Sequence, residues 1–179
     1  MKNIVLIIAG GVGARMGQDI PKQFINVYDK PVIVYTLEAF QKHPSIDAIE
    51  VVCLDGWHDV LWAYAKQFGI AKLENIVSGG KNGQDSIRNG LYDIASRHNG
   101  SDDIVLVHDA IRPMVSNDII SDNIRVCRQY GNAITVVPCT AAMLKTFDSL
   151  STEEQVPRDN LKITQTPQAF FPSRYYCST

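Results

Sequence analysis

Four glycines within eight residues, at positions 10, 11, 13 and 17, follow the apolar run Ile4-Val5-Leu6-Ile7-Ile8, with the cations Arg15 and Lys22 close behind in Ala14-Arg15-Met16-Gly17 and Pro21-Lys22-Gln23. Glycines there take positive φ and let backbone N–H groups converge on an anion, while the two side chains add positive charge at the same place. The chemistry this suits is the holding of phosphate, with Ala9, Gly10, Gly11 and Gly13 supplying backbone and Arg15 and Lys22 supplying charge. A dinucleotide fingerprint beginning at Gly11 and Gly13 would meet Met16 where its third glycine belongs, and the P-loop pattern finds no Gly-Lys-Ser/Thr. A plain strand-to-helix turn is the alternative, but it needs one or two glycines rather than four with two cations beside them.

Two further clusters carry polar chemistry. His108-Asp109-Ala110-Ile111-Arg112-Pro113 closes the apolar run Ile104-Val105-Leu106-Val107, which sets a carboxylate at a strand end. Asp109 there suits a ligand to Mg²⁺, or another divalent cation on a triphosphate, or a substrate-orienting group; it equally suits an N-cap or a turn partner for Arg112. Pro113 restricts Arg112 to extended backbone, which aims its guanidinium, although a surface ion pair has the same pattern. Gly79-Gly80-Lys81-Asn82-Gly83 followed by Asp85-Ser86 reads as a turn with Asp85 or Ser86 opening a helix.

Apolar runs that alternate with helical periodicity must position these groups. Strands are expected at 3–9, 48–54, 75–78, 103–107 and 133–138, and helices at 31–42, 58–68, 85–98 and 117–130. Pro31 suits a first helical turn, Ser116 an N-cap, and Gly69 and Gly131 helix ends. The class this implies is α/β: a Rossmann-like, mostly parallel twisted sheet with helices on both faces, whose ligands bind beyond the carboxyl ends of the strands. All three clusters fall there.

At 179 residues and 45% hydrophobic, the chain is sized for a single domain, 1–179. A net charge of -2 gives no broad cationic surface, so the positive residues matter locally and a nucleic-acid partner is not expected. No long apolar span argues for a membrane, and cytoplasmic is the default. Cys53, Cys127, Cys139 and Cys177 form no C-x-x-C pair, and His43, His58, His98 and His108 are scattered, so a transition-metal site is not expected.

The opening motif, with Pro21-Lys22-Gln23-Phe24, resembles that of the CTP-dependent cytidylyltransferases of small polyol phosphates, the methylerythritol-4-phosphate and ribitol-5-phosphate enzymes. The resemblance continues in order through Gly79-Gly80, Asp85-Ser86-Ile87-Arg88-Asn89-Gly90-Leu91, His108 to Pro113, Arg158 and Thr166-Pro167-Gln168-x-Phe170. It implies CMP transfer from CTP to the acceptor phosphate, with Arg15 and Lys22 as catalytic cations and Gly80, Asp85 and Ser86 joining the nucleotide site. It also implies that Asp109, Arg112, Arg158 and Thr166 contact the acceptor. Residues 140–165 resemble the projecting β-arm through which family members form a homodimer, with Arg158 and Thr166 reaching a partner's polyol phosphate. Pro21 to Phe24, Trp57, Asp102-Asp103-Ile104 and Asp122-Asn123-Ile124 lean toward the ribitol branch.

The chain also departs from the pattern. Relatives usually carry an acidic residue near Lys81, an arginine near Gly83, and Asp-Thr where Thr140-Ala141-Ala142-Met143 stands; Met143 cannot donate a threonine's hydrogen bond. They continue past Thr179 with a lysine and an acidic residue near the triphosphate, so the expectation is weak or no activity from residues 1–179 alone. Two rival classes remain: a sugar-1-phosphate nucleotidyltransferase reading another base, and a non-catalytic nucleotide-binding or dimerisation module.

Overall fold

The run Ile4 to Ile8 becomes the central strand of a six-stranded sheet because its side chains are apolar toward both faces and both faces are covered. The computed structural model describes residues 1–11, 20–98, 100, 102–148, 150–152 and 154–172. Strand β1 (Asn3–Ala9) is flanked in parallel register by β4 (Ala48–Cys53) and β6 (Ile104–Asp109), and β5 (Leu73–Ser78) lies outside β4. The sheet order is β5-β4-β1-β6-β10-β7, where β7 is Asn132–Pro138 and β10 is Lys162–Phe170. Only β10 is reversed, running antiparallel to both neighbours.

Alternation along the strands sorts the core into two layers. Val5, Ile7, Ile49, Val51, Ile104 and Leu106 face one side, where they meet helices α1 (Val32–Lys42), α2 (His58–Gln67) and α4 (Asn117–Tyr130). Ile4, Leu6, Val52, Val105 and Val107 face the other and meet α3 (Gly83–Arg97) through Ile87, Leu91 and Ile94. Helix α1 presents Ile33, Val34, Leu37 and Phe40, all fully buried, on one stripe. Each such side chain contributes roughly 1.5–3 kcal/mol relative to exposure. Helix α4 begins where the Ser116 hydroxyl accepts from Ile119 N and stops at Gly131, which is left-handed at φ 96°. Among the described residues, no helix is long and apolar enough to cross a membrane.

The structure corrects the expected boundaries in three places. Helix α3 starts at Gly83, with Asn82 rather than Asp85 or Ser86 as its cap: the Asn82 side chain accepts from Asp85 N at 2.9 Å. Pro31 precedes α1 and pairs with Asn26 in a small hairpin of β2 (Asn26–Val27) and β3 (Lys30–Pro31), because its ψ of 147° is extended rather than helical. Strand β10 was not expected at all, since Lys162, Thr164, Gln165 and Pro167 break any apolar alternation. It carries the end of the 140–165 segment back into the main sheet. What projects is the pair β8 (Met143–Lys145) and β9 (Glu154–Val156).

The far end of α3 is tied to the sheet by charge. Glu50 of β4 is buried and pairs with Arg97, while Arg97 also reaches Asp93 at 2.6 Å and Glu74 at 3.4 Å. Burial, joined by the charge of Asp93 and opposed by Arg97, pushes the Glu50 carboxyl up to about 8. The folded chain therefore holds a proton that the unfolded chain has released, and this stabilisation is present at low pH and lost as pH rises from the ordinary glutamate range through about 8. Urea midpoints measured from pH 5 to pH 8 should fall through this group, and Glu50→Gln should flatten the decline; an equally steep decline in that variant would remove Glu50 as its source.

Candidate functional site

Two glycine turns meet at the carboxyl edge of the sheet. Strand β1 ends at Ala9 and gives way to Gly10 and Gly11, while β5 ends at Ser78 and gives way to Gly79 and Gly80, whose turn is held by Gly79 N donating to Cys53 O at 2.9 Å. A Cβ on Gly10 would lie 3.5 Å from Gly79 Cα and 3.4 Å from Ser86 Oγ, so the two turns stand close enough that a single carbon would fill the space between them. At Gly80 a Cβ would come within 2.7 Å of the Asp85 carbonyl carbon and 2.9 Å of Ser86 N, a position no side chain can share. The two glycine turns, 69 residues apart from Gly10 to Gly79, thus form one wall.

Ser86 sits inside this wall, 5% exposed. Its hydroxyl donates to Asn82 O at 2.9 Å and accepts from Gly80 N at 3.0 Å. With its one proton spent, the second lone pair is what Ser86 can offer a ligand, and a lone pair accepts from an amino group but not from a carbonyl. Asp85 is engaged locally by Asn82 and by Arg88, whose Nη2 lies 2.6 Å from Oδ1. Lys81 and Gly83 are exposed, and a Cβ at Gly83 would meet nothing within 4 Å, so the backbone there does not demand glycine.

The third strand end forms a rigid corner. Arg112 Nε donates to Asp109 Oδ2 at 2.6 Å, and its Nη1 donates to Gln165 Oε1. Asp109 N donates to Thr166 Oγ1 at 3.3 Å, and Arg112 N to Asp109 O at 3.1 Å. Buried groups brace the backbone: Ala110 N donates to Ile8 O, Thr36 Oγ1 donates to Ala110 O at 2.8 Å, and His108 Nε2 lies 3.0 Å from Arg112 O. A carbonyl oxygen only accepts, so the proton of His108 is on Nε2. Burial holds this imidazole below its usual range, which keeps it neutral, and Nδ1 faces no donor among the described residues. A cavity of about 390 Å³ opens beside the corner, lined by Arg112, Met114, Val115, Val137, Gln165 and Thr166 among others.

Lys22 lies in the turn Lys22–Phe24, half-buried, and its ammonium has no hydrogen bond or ion pair to a described residue. Phe24 beside it stacks on Trp57 with ring centroids 4.5 Å apart, which assigns Trp57 a packing role. Gly13 and Arg15 lie outside the described residues. The structure brings Ala9, Gly10, Gly11, Gly80, Asp85 and Ser86 together at one wall, and Asp109, Arg112 and Thr166 at the other corner. Thr166 belongs to its own chain's corner rather than to the projecting arm, because β10 runs home between β6 and β7. Arg158 is elsewhere: its Nη1 approaches Thr140 O at 3.5 Å, and it lines a cavity of about 490 Å³ in the arm with Met143, Gln155 and Asp159. Gln165 and Thr36 were not expected in the corner, and the motif that places His108 there assigns it no bracing role; the only sequence hint for Gln165 was that it adjoins Thr166.

Asp109 has one oxygen committed to Arg112, and among the described residues no group of three or more His, Cys, Asp or Glu could hold a metal ion. A single carboxylate fits Mg²⁺ carried chiefly by phosphate oxygens and water, and does not fit a cation caged by protein alone.

Comparison with known proteins agrees with this geometry. The model of the family described as IspD, 2-C-methyl-D-erythritol 4-phosphate cytidylyltransferase, matches residues 3–175. A ribitol-5-phosphate cytidylyltransferase of Lacticaseibacillus paracasei is 44% identical over 165 residues, covering 92% of this chain and 70% of that protein. A 2-C-methyl-D-erythritol 4-phosphate cytidylyltransferase of Clostridium botulinum is 40% identical over 170 residues, covering 94% and 72%. The crystal structure of the Francisella tularensis 2-C-methyl-D-erythritol 4-phosphate cytidylyltransferase superposes with a TM-score of 0.74 at 27% identity, over 97% of this chain and 74% of that one. With its glycine wall, its Asp109–Arg112 corner and a match along nearly its whole length, the chain belongs to the IspD cytidylyltransferase family.

Proposed function

We propose that the protein transfers CMP from CTP to the phosphate of a small polyol phosphate and releases pyrophosphate, with ribitol 5-phosphate ahead of 2-C-methyl-D-erythritol 4-phosphate. The observation that carries this is the contact of the Gly10 and Gly79 turns at the strand ends, with Lys22 on one side and the Asp109–Arg112 corner at the end of β6. The order of acceptors follows the relatives at 44%, 41% and 38% identity, which carry the ribitol name, against 40% for one named for methylerythritol.

In the reaction an oxygen of the acceptor phosphate attacks the α-phosphorus of CTP in line, the bond from that phosphorus to the β-phosphate oxygen breaks, and pyrophosphate departs with the electron pair. The acceptor phosphate, with a second pKa of about 6, is already largely dianionic at neutral pH, so no side chain need remove a proton. The work left for the protein is alignment and charge neutralisation. Lys22 and Arg15 supply side-chain charge at the triphosphate and the glycine bend supplies amides, while Arg112 and Thr166 receive the acceptor phosphate. The remaining lone pair of Ser86 accepts from the exocyclic amine of cytosine, where uracil would present a carbonyl oxygen. Asp109 would hold Mg²⁺, which when bound draws charge from the triphosphate oxygens.

The arm is proposed to join two copies. Strand β7 is an edge strand with Ile134, Val136 and Val137 exposed, and the arm adds Leu144, Phe147 and Leu150, the last two 89% and 95% exposed. Pairing would cover this surface and bring Arg158 to the partner's acceptor site.

Three measurements test these statements. Lys22→Ala should lower kcat/KM for CMP transfer roughly a hundredfold, the loss of about 3 kcal/mol of transition-state stabilisation; transfer unchanged by the substitution would remove Lys22 from the mechanism. Thermal-shift ranking should place CTP above UTP, GTP and ATP, and Ser86→Ala should narrow the gap between CTP and UTP; a chain that ranks UTP level with CTP would overturn the base assignment. Light scattering should give a dimer mass that Phe147→Asp with Leu150→Asp converts to a monomer, and an unsubstituted monomer at micromolar concentration would count against the arm.

A further inference from the structure

Gln23 has a place in the site that none of the roles above uses. It follows Lys22 in the same turn, is 1% exposed, and its Nε2 donates to two main-chain oxygens of the glycine bend, Ala9 O at 2.6 Å and Gly11 O at 3.1 Å. The amide has one tolerable orientation, because the reverse would set Oε1 against two carbonyl oxygens. Oε1 is thereby left buried without a donor among the described residues, a situation that folded proteins ordinarily avoid. The side chain forgoes one bond and takes two on the bend.

Those two bonds fix which side of the bend is positive. In a trans peptide the carbonyl and the following N–H point in opposite directions, so anchoring the Ala9 carbonyl on Gln23 turns the Gly10 N–H away from it. Engaging the Gly11 carbonyl likewise keeps a partial negative charge from facing an anion. The same short turn presents Lys22, and it is itself pinned by Phe24 N donating to Pro21 O at 2.8 Å and by the Phe24–Trp57 stack. The bend and the main chain that carries Lys22 are therefore set relative to each other through one buried amide.

We infer that Gln23 is a positioning residue for the triphosphate: it draws the carbonyls of Ala9 and Gly11 inward, leaves the amide side of the bend to the phosphates, and fixes the bend's distance from Lys22. This rests on the reading of the bend as the triphosphate cradle. It acts on phosphates through the backbone and touches none itself, so its loss weakens CTP far more than CMP.

Calorimetric titration with CTP and with CMP, both with Mg²⁺, on the unsubstituted chain, on Gln23→Met and on Gln23→Glu tests this. Gln23→Met keeps the length and removes the donor, and should weaken CTP about tenfold or more while CMP changes less than about threefold. Gln23→Glu, which sets a carboxylate against the two carbonyls, should lower the ratio of CTP to CMP affinity further. The ratio is the readout, so a variant with a lower melting temperature still reports, and either variant alone suffices. A ratio that stays unchanged, whether both affinities fall together or neither falls, overturns the positioning role and leaves Gln23 a core prop. A parent chain that binds CTP no better than CMP overturns the cradle itself, and this inference with it.

Discussion

The close approach of two main chains, Gly10 against Gly79, is the constraint on which the rest of the site depends. A Cβ at either position would fill the space between the turns, in van der Waals contact with the other turn and the Ser86 hydroxyl at 3.4–3.5 Å. With both bare, the end of β1 and the end of β5 share one wall even though β4 lies between their strands. Under the proposed reading, a nucleotide laid along that wall would meet both turns as one surface, and binding energy from its base would orient the reacting phosphorus.

What holds the wall is packing behind it. Helix α3 approaches the sheet closely at Gly90, where a Cβ would collide with Leu6 and Val52, and its other end is fastened by Arg97 to Glu50. The N-terminus of the same helix carries Asn82, Asp85 and Ser86. The position of the Gly79–Gly80 turn is therefore decided by a glycine and the Arg97–Glu50 contact, both far along the helix from that turn. The corner at Asp109 is fixed in the same manner from the opposite face, by Thr36 of α1 and by the neutral His108.

How legible this was depended on which physical signal each residue carries. Strands covered on both faces read directly, because Ile4 to Ile8 and Ile104 to Val107 are apolar without interruption. The glycine turns read from composition, and Ser116 and Gly131 read from capping chemistry. Strand β10 did not, since near the sheet edge it mixes Lys162, Thr164 and Gln165 with Ile163, and Pro167 argues against a strand. Ser86 was legible as a site residue but not as one whose proton is already spent. Gln165 and Thr36 lie 53 and 74 residues from the groups they bind, and no local pattern announces a contact at that range.

The electrostatics follow from what the chemistry lacks. No nucleophilic side chain is needed when the attacking atom is a phosphate oxygen, so the difficulty is bringing two polyanions together, and fixed positive groups answer it with little reorganisation. Arg112 is held at two points, by Asp109 and Gln165, and retains other N–H groups of its planar fork for an acceptor. Lys22 is left uncommitted among the described residues, as a mobile point charge can follow the triphosphate while its charge shifts toward the leaving pyrophosphate. In the proposed reaction, a pinned guanidinium at the acceptor and a free ammonium at the leaving group would divide the task by what each cation does well. The departures at Lys81, Gly83 and Met143 fall outside that division: Lys81 and Gly83 are exposed beside the Gly79–Gly80 turn and Met143 lies in the arm, away from Lys22 and Arg112 in the sequence.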